Sequence, residues 1–110
     1  MINVGIIGYG KMGKIRHDVA NAIDGVNVVS IYDSSVVKAE IKIEKSADDI
    51  INNSEIDAVF ICTPNYLNKP LTIQSLLVGK HVFCEKPPAF TAKDVKEIRT
   101  VEKESGKVLM

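Results

Sequence analysis

Val4-Gly5-Ile6-Ile7-Gly8-Tyr9-Gly10-Lys11-Met12-Gly13 is the stretch that decides the fold. An apolar run enters Gly-x-Gly-x-x-Gly, and apolar residues at three- and four-residue steps (Met12, Ile15, Val19, Ile23) follow at once. A strand that enters a glycine turn and leaves as a helix suits a dinucleotide. Gly8 permits the tight exit from the strand, and Gly10 lets a pyrophosphate approach the backbone. Gly13 lets the helix pack close, so that its N-terminal N–H groups and dipole face the phosphates. Three glycines at this spacing are common in turns. The preceding strand and Asp33, twenty residues beyond Gly13, supply the context that makes them informative.

Outward from this turn the chain alternates strand and helix. Residues 2–7 read as the first strand, with Met12, Ile15, Val19 and Ile23 forming the inward face of the helix after it; Gly25 stops that helix. Residues 26–32 form a second apolar strand ending in Asp33. Residues 36–45 alternate after Ala39, with Ile41 and Ile43 on one face and charges on the other, which suggests a short edge strand. Ser46 caps a short helix with Asp48 and Asp49 in its first turn. Residues 56–62 are the fourth strand, broken by Thr63-Pro64-Asn65. Pro70 fits the first turn of a helix carrying Leu71, Leu76 and Leu77. Residues 81–84 are the fifth strand. Thr91 and Asp94 start a last helix with Val95, Ile98 and Val101 inward, and Val108-Leu109-Met110 begins a sixth strand, truncated at the C-terminus. This order predicts an α/β, Rossmann-type doubly wound parallel sheet with helices on both faces and strand order 3-2-1-4-5-6.

The chain has 110 residues, enough for one domain with a core and too few for two. Apolar residues are 45% and charged residues 25%, with a formal net charge of zero. That balance excludes an electrostatic nucleic-acid or membrane-surface binder, and no signal peptide or apolar span is visible. A cytoplasmic protein is expected. Cys62 and Cys84 each end a strand-like run and read as reduced, small, buried side chains; no spacing suggests a metal site.

In such a sheet ligands sit beyond the carboxyl ends of the strands, where the order reverses. The glycine turn, Asp33, Thr63-Pro64-Asn65 and Glu85-Lys86-Pro87 all follow strands there. Asp33 can accept hydrogen bonds from ribose hydroxyls, which favours NAD; Ser34 after it can still receive the extra phosphate of NADP. Lys86 lies at the rim of the crevice beside Pro87-Pro88, where a partly desolvated lysine can share or move a proton. His17 falls off the apolar helix face and is expected in solvent. His81 opens the fifth strand at the opposite end and reads as structural.

Gly8-Tyr9-Gly10-Lys11-Met12-Gly13, Cys62-Thr63-Pro64-Asn65 and Glu85-Lys86-Pro87 together make the chain similar to the glucose–fructose oxidoreductase / inositol 2-dehydrogenase / rhizopine-catabolism (Gfo/Idh/MocA) family. The resemblance covers that family's N-terminal NAD(P)-binding domain, here residues 1–110. It implies that Lys86 assists proton transfer at a substrate hydroxyl. It further implies that Glu85 and the Thr63, Pro64 and Asn65 turn line the nicotinamide half of the cofactor, with Lys86 also touching it, and that Asp33 binds the adenosine ribose. It implies a second, C-terminal substrate domain, absent from this chain. Where members often carry a histidine after the Thr-Pro turn, this chain has Asn68. The expected function is the cofactor half of an NAD(P)-dependent oxidoreductase acting on a sugar, sugar nucleotide or cyclic polyol, inactive by itself and forming homo-oligomers when intact. The alternatives are a non-enzymatic dinucleotide sensor or regulatory module, and the nucleotide domain of another reductase such as a biliverdin reductase-like enzyme.

Overall fold

A computed structural model of the chain describes residues 1–35, 37–63, 65–84 and 92–109, and of Asn65 and Tyr66 the backbone alone. Five strands, β1 (Ile2–Ile7), β2 (Val26–Tyr32), β3 (Lys42–Ile43), β4 (Ala58–Ile61) and β5 (His81–Cys84), alternate with helices α1 (Lys11–Asn21), α2 (Ala47–Ile51), α3 (Asn65–Leu77) and α4 (Ala92–Ser105). The sheet order is β3-β2-β1-β4-β5 and each pairing is parallel. The expected order therefore holds through the fifth strand. Leu109 makes a single parallel bridge with Val82 of β5, where a sixth strand would begin.

The sheet is covered on both faces because its central strands are apolar on both. Ile7, Val59, Ile61 and Val82 pack with Ile50 and Ile51 of α2 and Leu76 of α3, and Val101 of α4 joins them. Val4, Ile6, Val28 and Ile31 pack with Ala20 of α1 and with Tyr9. Val28 and Ile31 share a face although they are three residues apart. The β1–β2 register slips by one residue between Val4↔Val28 and Gly5↔Ser30, which turns the following side chains over.

Three sequence-based expectations need correction. First, the apolar face of α1 is not its buried one: Gly13 and Ala20 are its buried residues, Met12 is half-buried, and Ile15, Val19 and Ile23 are 40%, 50% and 52% exposed. The smallest side chains let α1 lie closest to the sheet, and the larger ones flank the contact. Second, α3 starts at Asn65, and Pro70 lies inside it rather than in its first turn. The prediction took the proline as a start signal, although a proline this near the N-terminus costs only one bond of the ladder. Third, Val95 of α4 is largely exposed and Ile98 carries that helix's burial. By contrast, Ser46 caps α2 as expected, its Oγ accepting from Asp49 N–H at 3.2 Å.

Polar clamps tie the helices and strand ends together. The ammonium of Lys80, almost fully buried, donates to the carbonyls of Asn53 (2.6 Å) and Ile56 (2.5 Å), and burial pushes its pKa down. Lys69 of α3 pairs with Asp94 and Glu97 of α4. His81 Nδ1 accepts from Val108 N–H at 3.0 Å, a structural role as expected. Glu102 accepts from Arg99 and, at 2.8 Å, from Leu109 N–H. Arg99 and the Leu109 N–H hold this carboxyl below its ordinary value of 4.5, against a smaller opposing effect of burial. A depressed carboxyl stabilises fully above its unfolded value and loses that contribution as pH falls through the folded one. The protection factor of the Leu109 amide should therefore drop below pH 4.5 while that of Val59 in the sheet centre persists, measured by hydrogen exchange with NMR. Glu102→Gln should weaken it already at neutral pH. Equal loss at both amides would refute this clamp.

Candidate functional site

A cleft of about 640 Å³ opens beyond the carboxyl ends of β1, β2 and β4, where the sheet order reverses. Its floor is the glycine turn. Gly8 adopts φ +93°, and a Cβ there would lie 2.6 Å from the carbonyl oxygen of Cys62, so both the conformation and the space demand glycine. Gly8 N–H donates to the Tyr32 carbonyl (2.7 Å) and Cys62 N–H donates to the Ile7 carbonyl (2.8 Å). The turn is thus held between β2 and β4.

Asp33 does more than the sequence suggested. Its Oδ2 accepts from Tyr9 N–H at 2.7 Å and its Oδ1 from Ser35 N–H at 2.8 Å. One carboxylate therefore fixes the glycine turn and shapes its own loop, while each oxygen keeps acceptor capacity for a ligand hydroxyl. Tyr9 is anchored at its other end, its hydroxyl 2.6 Å from Nδ1 of His17. His17 is half-buried in this contact, not in open solvent. Burial, then the charge of Asp18, raises the Tyr9 pKa, so the phenol stays protonated.

Gly10 caps α1 with an extended backbone that any residue can adopt and without a side-chain cap. Among the described residues, a Cβ on Gly10 would meet nothing within 4 Å beyond its own chain neighbours, and Gly10 lines the cleft. The described residues give no reason for a glycine here; a ligand lying against the backbone does. The uncapped first-turn N–H groups of α1 and the lack of acidic residues in that turn also suit an anion. These features fit a pyrophosphate.

Of the residues expected at the cofactor, Gly8, Tyr9, Gly10, Asp33, Ser34 and Thr63 line the cleft. Lys11 and Met12 open α1 beside it, and Gly13 is buried under the turn. Asn65 begins α3. Pro64, Glu85 and Lys86 lie outside the described residues. Sequence reasoning missed two contributors. Lys14, one residue past the third glycine, lines the cleft and brings the positive charge opposite Asp33 among the described lining residues. Its position in the first turn of α1 was the available signal. Asn68 is fully buried and its Oδ1 accepts from the Thr63 hydroxyl at 2.9 Å; it was noted only as a departure from a family pattern. Among the described residues no cluster of metal-ligating side chains occurs, and no helix is long and apolar enough to cross a membrane. Cys62 and Cys84 are present as half-buried thiols.

Comparison with known proteins gives a consistent result. The family described as "Oxidoreductase family, NAD-binding Rossmann fold" matches residues 2–110. An inositol 2-dehydrogenase of Salmonella typhimurium is 31% identical over 96% of this chain and 34% of its own length. The crystal structure of an NAD-binding protein from Listeria innocua superposes with TM-score 0.92 and 36% identity over 99% of this chain and 34% of the other. Biliverdin reductase from Synechocystis, solved with biliverdin and NADP+, gives TM-score 0.92 and 30% identity over 98% of this chain and 36% of that one. The chain spans about a third of the length of the curated relatives it matches.

Proposed function

The chain belongs to the Gfo/Idh/MocA oxidoreductase family, as an NAD(P)-binding Rossmann domain, and on that premise we propose how it holds the cofactor and what the intact enzyme does with it. The pyrophosphate rests on the backbone of Gly8, Tyr9, Gly10, Lys11, Met12 and Gly13, with Lys14 offsetting its charge. Asp33 takes the adenosine ribose hydroxyls and Ser34 lies beside them. Thr63, Pro64, Asn65 and Glu85 face the nicotinamide half. The single observation behind this reading is the open space over Gly10, in a cleft whose other end carries a carboxylate with spare acceptor capacity.

The reaction we propose is oxidation or reduction at a CH–OH carbon of a small sugar, sugar nucleotide or cyclic polyol. Nicotinamide supplies the hydride acceptor or donor when bound. Lys86 holds the substrate hydroxyl and takes its proton as the C–H hydride leaves, or returns it in reverse. Residues 1–110 form the cofactor domain, a further domain provides the substrate pocket, and the intact protein works as a homo-oligomer in the cytoplasm. Inositol 2-dehydrogenase as a relative supports the substrate class.

Calorimetric titration with NAD+, NADP+ and ADP-ribose tests the cofactor reading. We expect saturable 1:1 binding of NAD+, weaker binding of NADP+ because a 2′-phosphate meets Asp33, and retained binding of ADP-ribose. No binding of any of the three would remove the reading.

A further inference from the structure

Asn68 sits in the first turn of α3 with no exposed surface, an uncommon place for a carboxamide. Its Oδ1 accepts the proton of the Thr63 hydroxyl at 2.9 Å. Its Nδ2 has no hydrogen-bond partner among the described residues, and neither does the hydroxyl of Thr72 one turn later. A buried polar group with half its capacity unused costs stability, so the half that is used needs a reason. Thr63 supplies one, since it lines the cleft at the end of β4, on the opposite side of the glycine turn from Asp33.

A hydroxyl has one proton. With that proton committed to Asn68, Thr63 Oγ1 presents only lone pairs and can receive a ligand group only if that group donates. We infer that Asn68 is a positioning residue that fixes Thr63 as an acceptor, and that this end of the cleft therefore selects a carboxamide over a carboxylate. The inference rests on the cofactor reading above, which puts the nicotinamide half at this end. Nicotinamide carries an NH2 that Thr63 can accept; nicotinate offers only oxygens, whose lone pairs face those of Thr63. Rejecting an analogue that lacks the matching donor is a larger effect than rejecting a change in bulk.

The test compares Kd for NAD+, nicotinic acid adenine dinucleotide and ADP-ribose in the chain and in three variants. The chain should prefer NAD+ over the nicotinate analogue by about tenfold or more. Asn68→Leu releases the Thr63 proton, so the preference should shrink toward unity while ADP-ribose binds as before. Thr63→Val removes the acceptor while leaving every side chain of α3 in place, and should likewise reduce the preference. Asn68→His should retain it, because an imidazole can accept from Thr63 through one nitrogen and carry its own proton on the other. If Asn68→Leu does not fold, Thr63→Val and Asn68→His still decide the matter. Equal affinity for the two dinucleotides in the unaltered chain would overturn the inference, as would preference for the nicotinate form. So would a uniform loss for all three ligands in Asn68→Leu that leaves the ratio unchanged, the mark of a merely structural role. Failure to bind even ADP-ribose would instead defeat the cofactor reading, and this inference with it.

Discussion

Replacing Gly13 with alanine should lower Tm by more than about 10 °C and abolish dinucleotide binding as a consequence. The added Cβ would lie 2.1 Å from the carbonyl oxygen of Gly8 and 3.0 Å from its carbonyl carbon. No rotamer relieves this, because a Cβ is fixed to its own backbone and the obstacle is backbone as well. Either α1 lifts away from β1 or the glycine turn rebuilds. Lifting α1 exposes Ala20 and uncovers Val4, Ile6, Val28 and Ile31. Rebuilding the turn breaks the bond from Gly8 N–H to Tyr32 and pulls Tyr9 from Asp33. Overpacking of a tight contact costs about 1–3 kcal/mol when side chains can yield, and here they cannot, so about 3 kcal/mol is a lower bound against a total of roughly 5–15 kcal/mol. Thermal unfolding followed by circular dichroism measures it. A melting temperature within about 3 °C of the parent would show that α1 is not held by this contact.

The same contact explains why the architecture was legible and one helix face was not. β1, β2, β4 and β5 announce themselves as apolar runs, the glycine turn fixes where α1 begins, and parallel crossovers leave few possible strand orders. Those are local signals with a topological consequence. Which face of α1 touches the sheet is a different question. Periodicity groups Met12, Ile15, Val19 and Ile23, but burial goes to whichever face approaches closest, and Gly13 and Ala20 allow the closest approach. An apolar scale gives little weight to either residue. The β1–β2 register slip is hidden for a similar reason, since it depends on both strands at once.

Within the site, the legible part was the part set by backbone. Gly8 and Gly13 are required by conformation or clearance, and their spacing states it. Asp33 was legible as a candidate ligand for ribose but not as the acceptor for Tyr9 N–H, because that bond spans strands. His17 was misread for want of the tertiary contact: eight residues from Tyr9 in sequence, it meets the tyrosine hydroxyl only because the turn folds the ring back along α1. Asn68 shows the same limit, since a carboxamide in a helix reads as solvated until its burial is known.

Gly10→Ala separates ligand-driven glycine from fold-driven glycine, and it should behave as the opposite of Gly13→Ala. The backbone at Gly10, φ −78° and ψ −157°, is open to every residue, and an added Cβ would touch nothing within 4 Å among the described residues beyond its chain neighbours. Stability should therefore change by about 1 kcal/mol or less, mostly through the poorer helix cap that alanine makes. Binding should not survive so well. The methyl enters the cleft at the point where a pyrophosphate must approach the backbone N–H groups of α1, and displacing it by even part of an ångström lengthens several charge-assisted hydrogen bonds together. A loss of about 1–3 kcal/mol, roughly five- to 150-fold in Kd, is expected for NAD+ and for ADP-ribose alike. Adenosine, which has no phosphate, should bind the variant as it binds the parent. That three-ligand pattern locates the lost energy at the phosphates. Unchanged NAD+ affinity in a folded Gly10→Ala chain would mean that the cofactor does not cross this turn, and it would leave the second glycine of the motif without a physical purpose.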